Sequence, residues 1–189
     1  MGRARRLHDL EGDLSYEIPG IDGWMRDCEM LWLYETAREM ESIVEVGSWK
    51  GRSTHALLSG CTGRVVAVDT FLGSPSEMAG AHGEARAGGI LAAFTANVGH
   101  FANLQICPMS SVQAAGSFPD ASVDMVFVDG EHTCDAVTAD ITAWLPKCKR
   151  LLCGHDWPLV SVQQALNASK IPWQKAGEPP NGIWTYRIA

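Results

Sequence analysis

The chain has 189 residues and a mass of 20.5 kDa, enough for one well-buried domain and too few for two comfortable ones. Hydrophobic residues make up 46%, but no apolar run approaches the roughly 18 residues that span a bilayer, so a membrane-spanning chain is not expected. The formal net charge of -7 argues against nucleic acid or an anionic membrane as partner and leaves a small molecule as the expected one.

The N-terminal "MGRARRLHDLEGD" carries Arg3, Arg5 and Arg6 without an apolar segment behind them, so it does not read as a secretory leader. Residues 1–20 are expected to form a flexible, solvated arm of a cytoplasmic chain. Cys28, Cys61, Cys107, Cys134, Cys148 and Cys153 include no C-x-x-C pair, and several lie in apolar stretches. That usage suits reduced thiols better than disulfides or a zinc site.

Met30, Leu33, Ala37 and Met40 recur at helical spacing and predict a helix before the first strand. "SIVEVG" (42–47), "RVVAVDT" (64–70) and "VDMVFVDG" (123–130) are rich in β-branched and apolar residues, the pattern of strands buried on both faces; "LQICPM" (104–109) and "RLLCGHD" (150–156) are shorter candidates. A helix opens at Gly51, and "GGILAAFTANVGH" (88–100), "CDAVTADITAWL" (134–145) and "VSVQQALNA" (160–168) supply further ones. Residues 70–88, rich in Gly, Ala and Ser with weak periodicity, read as a lid loop, with plain disorder as the competing reading. "IPWQKAG" and "GIWTYRIA" flank the turn "EPPN", so the last two strands are expected to pair antiparallel. The alternation predicts a single α/β domain: a doubly wound, Rossmann-like sheet, mostly parallel with an antiparallel last strand, and helices on both faces.

Gly47 and Gly51 bracket "SWK" after the first strand, giving G-x-x-x-G. Glycine at a strand end lets the backbone turn tightly and approach a ligand, and the following helix offers free N–H groups, with the Ser53 hydroxyl beside them. Two turn glycines with a capping serine explain the same residues without a ligand. Asp69, about 24 residues after Glu45 at the end of the second strand, tips the balance, because an acid near that spacing can take the ribose hydroxyls of a nucleoside. "FVDGEH" and "LCGHDW" end two further strands; strand C-termini of a parallel sheet gather on one edge, so Asp129, His132, His155 and Asp156 are expected around one crevice. His8, His55, His82 and His100 have no carboxylate that sequence can place. Trp24, Trp32, Trp144, Trp157, Trp173 and Trp184 read as packing residues, whereas Trp49 lies in the glycine turn and is a candidate cover for a cofactor.

On "VEVGSWKGRST", "VAVDTFLGSP", "VDMVFVDGEHTCDAVTADITAWLP" and "LLCGHDW", the chain resembles the class I S-adenosylmethionine-dependent methyltransferases from about residue 22 to the end. Within them it is similar to the small O-methyltransferases, such as those acting on catechols and macrolide sugars. The resemblance implies that Glu45, Gly47, Ser48 and Ser53 hold the methionine part of the cofactor, Asp69 the ribose, and Ser110 and Ser111 the adenine, with Gly51 and Asp129 also among the cofactor-binding residues. It also implies a divalent metal (Mg2+ or Mn2+) on Asp129, His155 and Asp156, and His132 as general base toward a small-molecule hydroxyl, a sugar first and a phenol second. His155 departs from the pattern, since a carboxylate is usual there. Imidazole favours a softer ion than Mg2+, and His155 orienting the acceptor without ligating is the alternative. Two rivals stand beside this reading. A nicotinamide-dependent oxidoreductase would use the glycine turn and Asp69, but the G-x-G-x-x-G spacing is missing. A methyltransferase-like binding protein would keep the fold without chemistry. The assembly is left open, a homodimer included.

Overall fold

The computed structural model describes residues 16–74, 85, 88–177 and 181–188. Most of the expected N-terminal arm and of the expected 70–88 lid lies outside the described residues, as do His8 and His82.

The order of elements is α1 (Asp27–Ala37), β1 (Ser42–Val46), α2 (Arg52–Gly60), β2 (Arg64–Val68), α3 (Gly89–Val98), β3 (Leu104–Cys107) and α4 (Ser111–Ala115), then β4 (Val123–Val128), α5 (Cys134–Trp144), β5 (Cys148–Gly154), α6 (Val160–Ala168), β6 (Gln174–Lys175) and β7 (Trp184–Arg187). They build a seven-stranded sheet in the order β3-β2-β1-β4-β5-β7-β6. The first five strands run parallel to one another, and β7 runs antiparallel to both β5 and β6. The antiparallel ending is therefore as expected, with one addition: β7 inserts between β5 and β6 rather than following at the edge.

Every residue of β4 is buried, Asp124 included, which is why the strand reads as a mainly apolar run. Its side chains alternate between two cores. Met125 and Phe127 join Met30, Leu33, Leu57 and Phe94 on the face covered by α1, α2 and α3, whereas Val126 and Val128 join Ile141, Trp144 and Leu166 under α5 and α6. Helices thus lie on both faces. The strand predicted over 104–109 is shorter, Leu104–Cys107, and the one-turn helix α4 follows it without a distinct sequence signal. The thiols of Cys61, Cys148 and Cys153 are buried. Among the described residues, no helix is long and apolar enough to cross a membrane.

The order reverses at β1, which feeds leftward to β2 while β4 lies on its other side. A crevice opens at the carboxyl ends of such strands, because the connections from β1 and β4 leave toward opposite sides.

Candidate active site

That crevice is a cavity of about 740 Å3. Its size falls within the roughly 300–1,000 Å3 of ligand pockets and leaves room for two reactants.

The glycine turn forms one wall. Gly47 has φ +84, and a Cβ there would fall 2.1 Å from the Asp129 carbonyl oxygen, so the close approach of β1 and β4 alone demands glycine. Gly51 has φ +91 and backs onto Phe94 and Val98 of α3. Of the expected cofactor residues, Gly47, Ser48 and Ser53 line the cavity, but Gly51 and Glu45 are not in its wall. Glu45 is fully buried beneath the turn, where Thr54 Oγ1 donates to its Oε2. Burial raises its pKa to about 7, against hydrogen bonds from Ser53, Thr54 and Ser48 and with the charge of Asp129 adding to the rise. It is placed to brace the turn from behind.

Asp69 lines the cavity at the end of β2, but its oxygens are engaged. Oδ2 accepts from the backbone N–H groups of Ser48 (2.8 Å) and Trp49 (2.9 Å), and Oδ1 accepts from that of Phe71 (2.7 Å). The carboxylate clamps the glycine turn, where Trp49 sits at φ +48, to the loop after β2. Trp49 and Trp24 stand 5.6 Å apart between ring centroids, and both border the cavity. Ser110 and Ser111, at the start of α4, line it from the β3 side.

At the ends of β4 and β5, Asp129, His132, His155 and Asp156 meet as expected. His132 Nε2 lies 2.9 Å from Asp156 Oδ2 and 3.9 Å from Asp129 Oδ1. His155 Nδ1 lies 3.1 Å from the same Asp156 oxygen and 3.7 Å from Asp129 Oδ1. Asp156 adopts φ +59, a left-handed turn that few side chains other than Asp and Asn tolerate, and this aims its carboxylate between the two imidazoles. Ser161 at the start of α6 donates to the His132 carbonyl at 2.6 Å and fixes that loop. Burial alone would lower the His155 pKa; hydrogen bonds to Asp156 and Glu29 and the charges of Asp129 and Asp156 outweigh it and raise it to about 10. Burial acts to raise the Asp156 pKa, but the two histidines prevail and hold it well below the usual carboxylate range.

Ligand atoms of Asp129, His132 and Asp156 all lie within 4.8 Å of one another, so His132 is a candidate metal ligand as well as a base. Two carboxylates with imidazole nitrogens fit a transition-metal divalent cation better than Mg2+.

Three contributors gave no local sequence signal. Glu29 of α1, 1% exposed, places Oε1 3.2 Å from His155 Nε2. Arg52 pins residues 19–27 against the turn: Nε donates to the Met25 carbonyl (2.9 Å), Nη1 to those of Ile21 (3.0 Å) and Pro19 (3.3 Å), and Nη2 to Asp27 Oδ1 (3.2 Å). The strap so held brings Asp22, Gly23, Trp24 and Met25 into the cavity wall. Asp140 of α5 also lines it. His55 stands apart, hydrogen-bonding distance (3.3 Å) from the Tyr16 hydroxyl and edge-on to Phe101, which in turn packs on His100.

A methyltransferase-domain family model matches residues 44–157, which contain the glycine turn, Asp69 and the whole acid and histidine cluster. No curated protein matches the chain in sequence. Solved structures share the fold at low identity. A Corynebacterium glutamicum protein is 16% identical with a TM-score of 0.63, covering 91% of this chain and 83% of that one. TomG, an O-methyltransferase of tomaymycin synthesis from Streptomyces achromogenes solved with S-adenosylmethionine, is 16% identical with a TM-score of 0.58, covering 88% and 82%. CalS11, a TDP-rhamnose 3'-O-methyltransferase of calicheamicin biosynthesis, is 14% identical with a TM-score of 0.57, covering 86% and 78%.

Proposed function

The chain belongs to the methyltransferase-domain family, and on that premise we propose that it transfers the methyl group of S-adenosylmethionine to a hydroxyl oxygen of a small molecule. The observation that carries this reading is the continuity of one cavity from the glycine turn and Asp69 to the cluster of Asp129, His132, His155 and Asp156. A donor on the turn and a hydroxyl at the cluster would share that space. The structures of TomG and CalS11, enzymes that methylate oxygen, support the oxygen acceptor, and CalS11 keeps a sugar hydroxyl beside a phenol among the candidates.

Methyl transfer is an in-line displacement, so most of the work is alignment and exclusion of water. The turn residues Gly47, Ser48 and Ser53, which line the cavity, would hold the donor's methionine end. Asp69 holds that turn in shape and would border the ribose. His132 takes the proton of the hydroxyl at Nε2, and Asp156 Oδ2, 2.9 Å away, stabilises the imidazolium that forms. With His132 as the base, Asp129 and Asp156, with His155 Nδ1 adjacent, would hold a divalent cation, which when bound would make an acceptor hydroxyl more acidic.

Calorimetric titration with S-adenosylmethionine, S-adenosylhomocysteine and NAD tests the donor, and methyl-group transfer to panels of phenols and sugars tests the acceptor. Heat from either sulfur nucleoside and none from NAD is expected; the reverse result overturns the reading.

A further inference from the structure

Residues 16–25 belong to no helix or strand, yet 22–25 form part of the cavity wall. Such a segment has no ladder to take up its carbonyl groups, so its place depends on donors from elsewhere. Arg52 donates to three of those carbonyls, on Pro19, Ile21 and Met25, and to Asp27 Oδ1 beyond them. Guanidinium suits the task, because its N–H donors lie in a fixed plane and it has no acceptor of its own. The contact is close: a Cβ at Gly23 would fall 3.1 Å from Arg52 Cδ, so the strap passes directly over the arginine stem. Of residues 16–25, Ile18 and Met25 alone are buried. Apolar burial thus anchors the segment at two points, and Arg52 holds the backbone between them. Lys50 also reaches the strap, at Asp22 Oδ2 (3.0 Å), but that carboxylate is largely exposed, and an ion pair so placed contributes little.

Both ends of the strap are tied to the site. Arg52 opens α2 directly after Gly51, so the strap is gripped from the glycine turn. At the other end Arg26, where the strap becomes α1, donates its N–H to Glu29 Oε2 at 2.8 Å, and the other oxygen of Glu29 lies 3.2 Å from His155 Nε2. The strap therefore bridges the glycine turn and the acid and histidine cluster. On the proposed function, the methionine end of the donor meets the acceptor between those two places. Ser110 and Ser111 wall the cavity from β3, which lies two strands away from β1.

We propose that Arg52 is a positioning residue that fastens the strap over the methionine end of bound S-adenosylmethionine, an inference that rests on the proposed function. The hydrogen bonds of Arg52 go to the strap, and Trp24 and Met25 of the strap complete the wall. Affinity for the amino-acid part of the donor then depends on Arg52, and affinity for its nucleoside part does not. A strap released from Arg52 keeps its two apolar anchors but lets the backbone between them leave the reacting end open to water.

The test compares wild type with Arg52→Met, which keeps an unbranched apolar stem beneath Gly23 and removes every donor. The full chain is titrated calorimetrically with S-adenosylhomocysteine and with 5'-methylthioadenosine, which has the same nucleoside and sulfur but lacks the amino-acid part. Arg52→Met is expected to bind S-adenosylhomocysteine about tenfold more weakly and 5'-methylthioadenosine within about threefold of wild type. Trypsin cleavage after Arg26, an exposed residue at the end of the strap, follows the strap itself, because a protease needs the segment to open. In wild type S-adenosylhomocysteine should slow that cut and 5'-methylthioadenosine should not; in Arg52→Met the cut should be faster throughout. A wild-type cut that S-adenosylhomocysteine leaves unchanged overturns the inference without any variant. So does a variant with wild-type affinity for S-adenosylhomocysteine, or one that loses both ligands alike. If wild type binds neither compound, the proposed function falls with it; if it binds S-adenosylhomocysteine and the strap does not respond, only the role of Arg52 falls.

Discussion

Glu29 Oε1 lies 3.2 Å from His155 Nε2, so a carboxylate in the first turn of α1 holds the imidazole at the end of β5. The same oxygen accepts from Gly182 N–H at 2.7 Å, and the other accepts from Arg26 N–H at 2.8 Å. Burial works to raise the Glu29 pKa, but these hydrogen bonds and His155 lower it, which keeps Glu29 ionised. Gly182 must be glycine for this contact, since a Cβ there would fall 2.9 Å from His155 Nε2 and 3.1 Å from Glu29 Oε1.

The His155 imidazole in metal-free protein is accordingly expected to stay protonated through neutral pH and to titrate near 10. Its pKa is raised on folding, so its contribution to stability is fully present below about 6.5 and is lost as pH rises through about 10. Imidazole nitrogen shifts followed by NMR read this directly. Glu29→Gln should move the midpoint downward; a His155 ring neutral at pH 7 in wild type would show that the carboxylates do not hold it charged.

Asp69→Ala should cost both stability and cofactor affinity. Three backbone N–H groups lose their acceptor, and a lost hydrogen bond to a charged group costs about 1.5–3 kcal/mol, though water will replace some of these. Thermal denaturation of ligand-free protein should show a lower Tm, and titration with S-adenosylhomocysteine a weaker Kd. An unchanged Tm would mean that the clamp on the glycine turn contributes nothing.

Glu45→Gln is expected to stabilise the protein in alkaline but not in acidic solution. The folded pKa is raised from 4.5 to about 7, so between these values the native state binds more protons than the unfolded chain, and stability falls as pH rises. Glutamine keeps an oxygen to accept from Thr54 Oγ1 and carries no charge to bury. Urea denaturation at pH 8 should show the variant more stable by about 1–3 kcal/mol, with the gap closing near pH 4. A variant equally destabilised at both values would contradict the burial argument.

Mn2+ should bind the cluster and be displaced by a chelator, with its paramagnetic resonance spectrum as the measure. Asp129→Asn and Asp156→Asn should each weaken binding by at least about tenfold, because a carboxylate ligand is lost. His132→Ala separates two roles. Loss of Mn2+ together with activity makes His132 a ligand, whereas retained Mn2+ with kcat lowered on the order of 10²–10⁴ makes it the base.

The parallel core was legible in the sequence because burial on both faces writes β1, β2 and β4 as short, mainly apolar runs rich in β-branched residues, a local pattern that needs no partner to read. The meeting of Asp129, His132, His155 and Asp156 was legible for a related reason, since strand ends of a parallel sheet collect on one edge whatever lies between them. Hydrogen-bond partners are chosen by the fold instead. Sequence marked Asp69 as an acid at the right strand end, but only the tertiary structure shows that it clamps the turn of Ser48 and Trp49. Glu45 and Gly51 looked equally exposed to a cofactor, yet packing puts them behind the wall. Glu29 and Gly182 lie 153 positions apart, and Asp140 reads in sequence as an ordinary helix residue. Their meanings depend on which surfaces the sheet brings within 3 to 4 Å, a distance that no periodicity encodes.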